Sequence, residues 1–317
     1  MVLKKDSSAA LQAAPTSRTT QSHRKEKANN SMNVVFSKKV YFDASSSRHQ
    51  SFPFQDSLIN YITKNPSSSK CYQKMVQSCK YFYIKNPILV VFKFGYDEKR
   101  NDKCRIYSGK KCIQMANITS KLWITDELYV SCISPAKQNL FLSLIPKLYQ
   151  FDAKRIYLWD HTLSFDHFCY LNQSTENIDL WRITVKYDDG SIVPFEKLIE
   201  ALPKLKNIRF EPVKAVSNIA SKTVGELVKM PHFSWIKYFN MSDVPETFDL
   251  NAFYIYMKKN QLTKFHLKFD DSISNAYKSR LEGIIDEIIA TKTHDYKPPI
   301  LHYRGLDGKK RDALLFL

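Results

Sequence analysis

The chain is 317 residues long with 44% hydrophobic and 13% aromatic residues, which excludes a wholly disordered protein and leaves ample length for a buried core. Only 7 glycines are present, which argues against glycine-rich loops that cradle phosphates. The 48 Lys and Arg against 31 Asp and Glu give a formal charge of +17, but they are scattered along the chain rather than clustered, so the charge argues only weakly for nucleic acid.

Residues 1–48 are rich in Ser, Ala, Thr, Lys and Asn without apolar periodicity. Such a segment cannot bury enough surface to offset its ordering entropy, so a disordered basic tail is expected. The N-terminus has no apolar signal core, and the longest apolar run, 88–92, is far too short for a bilayer. The expected setting is therefore cytoplasmic, nuclear or both, with no membrane partner. The 6 cysteines include no Cys-x-x-Cys pair, and no His pair has finger spacing, so neither a metal nor a cofactor is expected. Cys71 and Cys79 read as small apolar residues of a helix in a reducing compartment.

Order is expected from Phe52 and Pro53 onward. Phe54, Leu58 and Ile62 recur every four residues, with Ile59 and Tyr61 widening the stripe, which predicts a short amphipathic helix. Asn65-Pro66 ends it, because the residue before proline avoids helical geometry. Ser67, Ser68 and Ser69 offer a cap for a second helix, where Tyr72, Met75, Val76, Cys79 and Tyr83 follow helical spacing as far as Asn86-Pro87. Residues 88–94 read as a strand, 96–111 as a loop or hairpin, and 121–130 as a strand or sheet edge. From about residue 141 helices and strands alternate. Helical patterns fall at 139–148, 164–172, 194–202, 221–230, 249–259 and 274–290, with Ser164 and Asp249 as caps and Pro194 in a first turn. The strands carry Ile156/Leu158, Ile178/Leu180, Ile208/Phe210, Ile236/Tyr238 and Phe265/Leu267/Phe269.

One frame repeats. Leu202, Pro203, Leu205, Ile208 and Phe210 pass from a spacing of three to a spacing of two, as a helix end running into a strand does. Met230, Pro231, Phe233, Ile236 and Tyr238 repeat the frame, and Ile145, Pro146, Leu148 and Phe151 repeat part of it. Strand spacings of roughly 22 to 30 residues lie near the upper range of leucine-rich repeats. A right-handed, mostly parallel arrangement is the natural result.

Catalytic motifs fail one by one. His161 and His167 are not at the i, i+4 spacing of a helical zinc pair, and Asp188-Asp189-Gly190 is turn chemistry. Ser108-Gly109-Lys110 lacks the earlier glycine of a phosphate loop, and no Ser or Cys stands in a nucleophile motif. A non-enzymatic protein without catalytic or metal residues is expected.

Two resemblances extend this reading. Residues 51–92 resemble an F-box: Phe52-Pro53 stands at the start, Leu58, Ile59 and Ile62 fill the first helix, Asn65-Pro66-Ser67 makes the break, and Cys79-Lys80-Tyr81-Phe82 makes the end. The opening departs from the family pattern, with Phe for Leu and Gln55-Asp56 where a Glu is common. Residues from about 140 to 290 resemble degenerate leucine-rich repeats. The combination looks like the large, divergent F-box families of nematodes. It implies an α/β chain with a tail at 1–48, an F-box-like helical module at 51–92, an irregular linking region with short strands at 93–138, a leucine-rich-repeat-like solenoid with a mostly parallel sheet at 139–305 and a C-terminal tail at 306–317.

The resemblance further implies a substrate-recognition subunit of a Skp/cullin/F-box ubiquitin ligase, with a Skp-type adaptor, the cullin complex and an unknown protein substrate as partners. On that reading Phe52, Pro53, Leu58, Ile59, Ile62, Met75, Val76 and Phe82 bind the adaptor. Strand alternation turns Tyr157, Trp159, Trp181, Arg209, Lys237 and His266 outward, as a surface for a protein target. The alternatives are a solenoid interaction module that has lost adaptor binding and, behind it, a nucleic-acid-binding protein.

Overall fold

A computed structural model describes residues 51–98, 105–108, 111–114, 118–131, 142, 144–171, 174–214 and 218–317. The tail expected at 1–48, Cys104, Cys132 and residues 139–141 and 143 of the helical pattern expected at 139–148 lie outside the described residues; its described end is the 3₁₀ turn Ile145–Lys147 running into a strand at Leu148.

Three short helices lead. α1 (Asp56–Lys64) has the predicted bounds within a residue or two, and α2 (Ser69–Ser78) starts at Ser68, whose hydroxyl accepts from the Cys71 N–H at 3.2 Å. The second helix is not continuous. Cys79 is extended (φ −152°, ψ 129°) and its sulfur caps a separate helix, α3 (Lys80–Lys85), so the predicted single helix breaks at the residue that helical spacing had placed inside it.

The chain then builds one eleven-stranded sheet. β1 (Ile88–Asp97), β2 (Arg105–Ser108) and β3 (Lys111–Gln114) form an antiparallel edge; β2 lies in the stretch 96–111 expected to be a loop or hairpin, and its partner β3 runs beyond that stretch. β4 (Lys121–Ser131) pairs parallel to β1 and carries the short β5 (Leu148–Phe151) alongside. β6 (Arg155–Trp159), β8 (Asn177–Trp181), β10 (Asn207–Glu211), β11 (Tyr238–Val244), β12 (Lys264–Phe269) and β13 (Ile300–His302) follow, each parallel to the one before it. Eight strands from β1 through β13 thus lie side by side in chain order, all parallel, and the described sheet is open rather than closed into a barrel. A two-stranded parallel sheet of β7 (Thr162–Ser164) and β9 (Thr184–Lys186) stands apart.

The crossovers supply the covering layer: α4 (Phe165–Tyr170), α5 (Phe195–Glu200), α6 (Thr223–Leu227), α7 (Leu250–Lys259), α8 (Asn275–Ala290) and α9 (Gly308–Phe316). Ser164, Asp249 and Ser274 cap α4, α7 and α8 with side-chain oxygens. The repeated frame is core: Leu202, Leu205, Ile208 and Phe210 are all buried, and so are Phe233 and Ile236 in the second copy and Leu148 and Phe151 in the third. Before each strand a backbone ladder joins one crossover to the previous one. Lys154 N–H donates to Asp126 O, Glu176 N–H to Lys154 O, Lys206 N–H to Glu176 O, Lys237 N–H to Lys206 O and Lys264 N–H to Lys237 O.

Two expected boundaries shift. β1 runs through the junction expected at 92/93, and within the linking region the strand or edge expected at 121–130 is β4, eleven residues long and in the interior of the sheet. Of the C-terminal tail expected at 306–317, Gly308–Phe316 form α9, whose Leu314 is completely buried against the rest of the chain.

Candidate interaction surfaces

The side of the sheet away from the crossover helices is organised by register. Tyr129, Tyr157, Asp179, Arg209, Asn240 and His266 form one row across β4, β6, β8, β10, β11 and β12. The next row, toward the strand ends, carries Asp97, Ser131, Trp159, Trp181 and Glu211. Their alternating neighbours, Leu128, Val130, Ile156, Leu158, Ile178 and Leu180, are buried in the core on the opposite side.

A cleft of about 550 Å³ lies over these rows. Its aromatic floor is continuous: Tyr129 meets Trp159 edge-on at 5.5 Å and Trp159 meets Trp181 edge-on at 5.8 Å, while Tyr157, outside the lining, meets Tyr129 at 6.3 Å between ring centroids. Such pairs contribute about 0.5–1.5 kcal/mol each beyond their buried area, so the floor is held as a unit. Two residues with left-handed backbone directly follow the two tryptophans: Asp160 (φ 60°), which lines the cleft, and Arg182 (φ 52°), which stands beside it. Their N–H groups donate to Trp181 O and Glu211 O, which ties each turn to the next strand. The same turns bring the Arg182 guanidinium to 2.5 Å from the Asp160 carboxylate and to 4.0 Å from the Trp181 ring centroid. Left-handed conformations cost a non-glycine residue of order 1–2 kcal/mol, and the ion pair with its ring contact holds them in place.

Charge in the cleft departs from that of the chain. Asp97, Asp160, Asp179 and Glu211 line it against the single lining cation Arg209. Burial pushes the Asp179 carboxyl up from the ordinary aspartate range, opposed by the charge of Arg209 and by the Trp159 indole. The Trp159 N–H is shielded from water and meets no hydrogen-bond geometry among the described residues, and the Asp179 carboxylate is the group nearest in effect to it. The Asp160 partner raises the Arg182 guanidinium, which stays charged.

Five of the six residues predicted to face a target, Tyr157, Trp159, Trp181, Arg209 and His266, lie on this one side of the sheet. Lys237 does not. The chain is still leaving the 3₁₀ turn Pro231–Trp235 at that point, β11 begins at Tyr238, and the side chains in register are Tyr238 and Asn240. Phe239, two residues further on, is fully buried. His266 shares the row but lies beyond the cleft, 5.1 Å from the Tyr238 ring, where burial and then the charges of Lys264 and Arg209 push its pKa down; it adds no positive charge at neutral pH. Sequence reasoning missed Tyr129, although the buried alternation of Leu128 and Val130 signals its direction. It also missed Glu211, which follows Arg209 at a spacing of two on β10, and Asp160, for which no periodic signal exists.

The front helices offer a second surface. Phe54, Leu58, Tyr61 and Ile62 lie at positions i, i+4, i+7 and i+8, and they are 59%, 44%, 66% and 38% exposed. The opposite side of α1 is buried through Ile59 and Thr63. Ile59, predicted to bind an adaptor, is therefore internal. The other predicted adaptor residues divide: Pro53, Leu58 and Ile62 are exposed, whereas Phe52, Met75, Val76 and Phe82 are half-buried. Phe52 and Phe82 pack on each other and on Tyr81, with centroids 5.1–5.8 Å apart, and Val76 packs on Tyr72, Ile88, Val90 and Trp123.

The Ser164 hydroxyl lies 2.8 Å from His167 Nδ1 while accepting the His167 N–H, which makes the pair a helix cap on α4. Among the described residues no cluster of His, Cys, Asp and Glu is arranged to hold a metal ion, and no helix is long and apolar enough to cross a membrane. No protein-family model matches the chain, and no curated protein matches its sequence.

Proposed function

We propose that the chain is a non-enzymatic substrate-recognition subunit of a Skp/cullin/F-box ubiquitin ligase. On this reading the front helices dock a Skp-type adaptor, and the parallel sheet with its crossover layer is a leucine-rich-repeat-like solenoid that holds a protein target. The observation that carries it is the exposed apolar stripe of α1. Large apolar side chains at helical spacing, turned away from a helix's own core, favour a partner surface over plain solvation. The F-box-like sequence that contains this stripe, closing in Cys79-Lys80-Tyr81-Phe82, points to the adaptor.

The open, aromatic cleft supports the target-holding half. Aromatic side chains flanked by charged groups are the composition of interface hot spots. The same cleft speaks against nucleic acid there, because its carboxylates would face phosphates.

Co-purification of the full chain with a Skp adaptor tests the proposal. Capture is expected, and absence of capture under conditions where a known F-box binds would overturn it. That result, together with retained protein binding through the sheet, would favour an interaction module that has lost its adaptor, the reading that the Phe52 and Gln55-Asp56 departures keep in view.

A further inference from the structure

The proposed role of the sheet leaves the chemistry of its target open, and the cleft narrows it. Four carboxylates lie around a floor of Tyr129, Trp159 and Trp181 in a chain of formal charge +17. Asp160 is occupied by Arg182, and Arg209 stands beside Asp179 in the strand register. The lining set still carries more negative than positive charge, in contrast to the chain as a whole. Distant lysines are screened beyond about 8 Å at physiological ionic strength, while groups in contact with a ligand are not. A bound segment therefore meets the cleft's charge and not the chain's.

The geometry points to a peptide segment bearing a lysine or arginine as the occupant, its cation seated against the indoles of Trp159 and Trp181 and within reach of Asp179 and Glu211. Three features converge on this class. The aromatic faces attract cations through their quadrupoles, and Arg182, 4.0 Å from the Trp181 centroid, shows a guanidinium already held by this floor. Asp179 is desolvated, so a cation arriving next to it repays part of that burial, whereas an anion adds repulsion. A cleft of about 550 Å³ falls within the size range of sites that enclose a ligand of this scale and admits a long side chain with its flanking backbone.

This inference rests on the proposed target-holding role of the sheet, and the experiment separates the two. Three fluorescein-labelled peptides of equal length in a Gly/Ser background, carrying Lys and Arg, Gln, or Glu, are titrated with the full-length protein near physiological salt. The readout is fluorescence anisotropy, for wild type, Asp179→Asn, Glu211→Gln and Trp181→Ala, each with its thermal melt. The Lys/Arg peptide is expected to bind about tenfold or more tighter than the Gln peptide. Asp179→Asn and Glu211→Gln are each expected to reduce that preference without a loss of folding, and Glu211→Gln keeps the test valid if the Asp179 variant is compromised. Equal or tighter binding of the Glu peptide, or an unchanged preference in both carboxamide variants, overturns the cationic class. If a Gln or Glu peptide binds and weakens in Trp181→Ala, only the cationic class fails and the sheet stands as a target surface. If no peptide distinguishes wild type from Trp181→Ala, both fail.

Discussion

The phenol of Tyr72 accepts a hydrogen bond from the Ile88 N–H at 3.1 Å and donates one to the Asn86 carbonyl at 2.6 Å. It is the joint between the front helices and the sheet, reinforced by Asn86 Nδ2 donating to Thr63 O and by the Tyr149 hydroxyl donating to Lys64 O. Burial pushes the phenol up to about 12, so it stays neutral and keeps its proton for Asn86. Tyr72→Phe preserves the ring and leaves the buried Ile88 N–H without its acceptor. A loss of about 1–3 kcal/mol in urea unfolding is expected. Amide exchange should quicken first at Ile88 and in α2; an unchanged midpoint and unchanged exchange would show that the joint is held by packing alone.

On α1 adjacent residues separate binding from stability. Leu58→Asp with Ile62→Asp places charges where side chains already meet water, so the melting temperature should stay within a few degrees of wild type while adaptor capture is abolished. Ile59→Asp buries a charge at a position 5% exposed and should destabilise the helices outright. Loss of folding in the Leu58/Ile62 variant, or retained capture, would remove α1 as the docking surface.

What the sequence disclosed follows from how many sides of each element are buried. β6, β8, β10 and β12 are buried on one side only, so their alternation is legible and the residues expected to face inward are all buried. β1 and β4 are covered on both sides at their starts: Ile88, Val90 and Trp123 pack under Tyr72, while Val91, Leu122 and Ile124 join the main core. Burial on both sides erases the period of two and leaves an apolar run. A register shift between Val91 and Lys93 then breaks what alternation remains. In β11 the spacing of Ile236 and Tyr238 imitates a strand, but Ile236 fills the core from the end of a 3₁₀ turn, and the true inward pair is Phe239 and Met241. The candidate site was half legible for the same reason. Strand-borne Tyr157, Trp159, Trp181 and Arg209 follow from alternation, while Asp160 and Arg182 owe their positions to left-handed turns that no periodicity encodes.

The buried carboxyl of Asp179 predicts a pH signature. In strong acid it is protonated in folded and unfolded chains alike and contributes nothing. As pH rises through the ordinary aspartate range the unfolded chain releases its proton first, because burial raises the folded pKa, so stability falls until the folded group ionises too. Asp179→Asn lacks this loss. Its stability relative to wild type should be flat in acid, climb through that window and level off toward neutrality, while Lys/Arg-peptide binding is weakened only where the wild-type carboxyl is ionised. Gain in stability with loss of binding is the mark of a residue kept for function. A stability difference that does not vary with pH would show that Asp179 is not desolvated in solution.

The C-terminal helix distinguishes a packed anchor from a charged one. Lys310 on α9 reaches Glu282 and Asp286 on α8, each at 2.7 Å, and these partners raise its pKa. The lysine is partly exposed and its carboxylate partners are about half exposed, so pairing gains little against side-chain entropy and salt. Leu314, one turn further along, is completely buried. Leu314→Ala is expected to cost about 2–5 kcal/mol and to make α9 the first segment cut in limited proteolysis. Lys310→Ala should leave both the unfolding midpoint and the proteolytic pattern nearly unchanged. A reversal of that order, with the lysine variant releasing the helix and the leucine variant keeping it, would mean that α9 is held by its ion pairs rather than by its apolar seam.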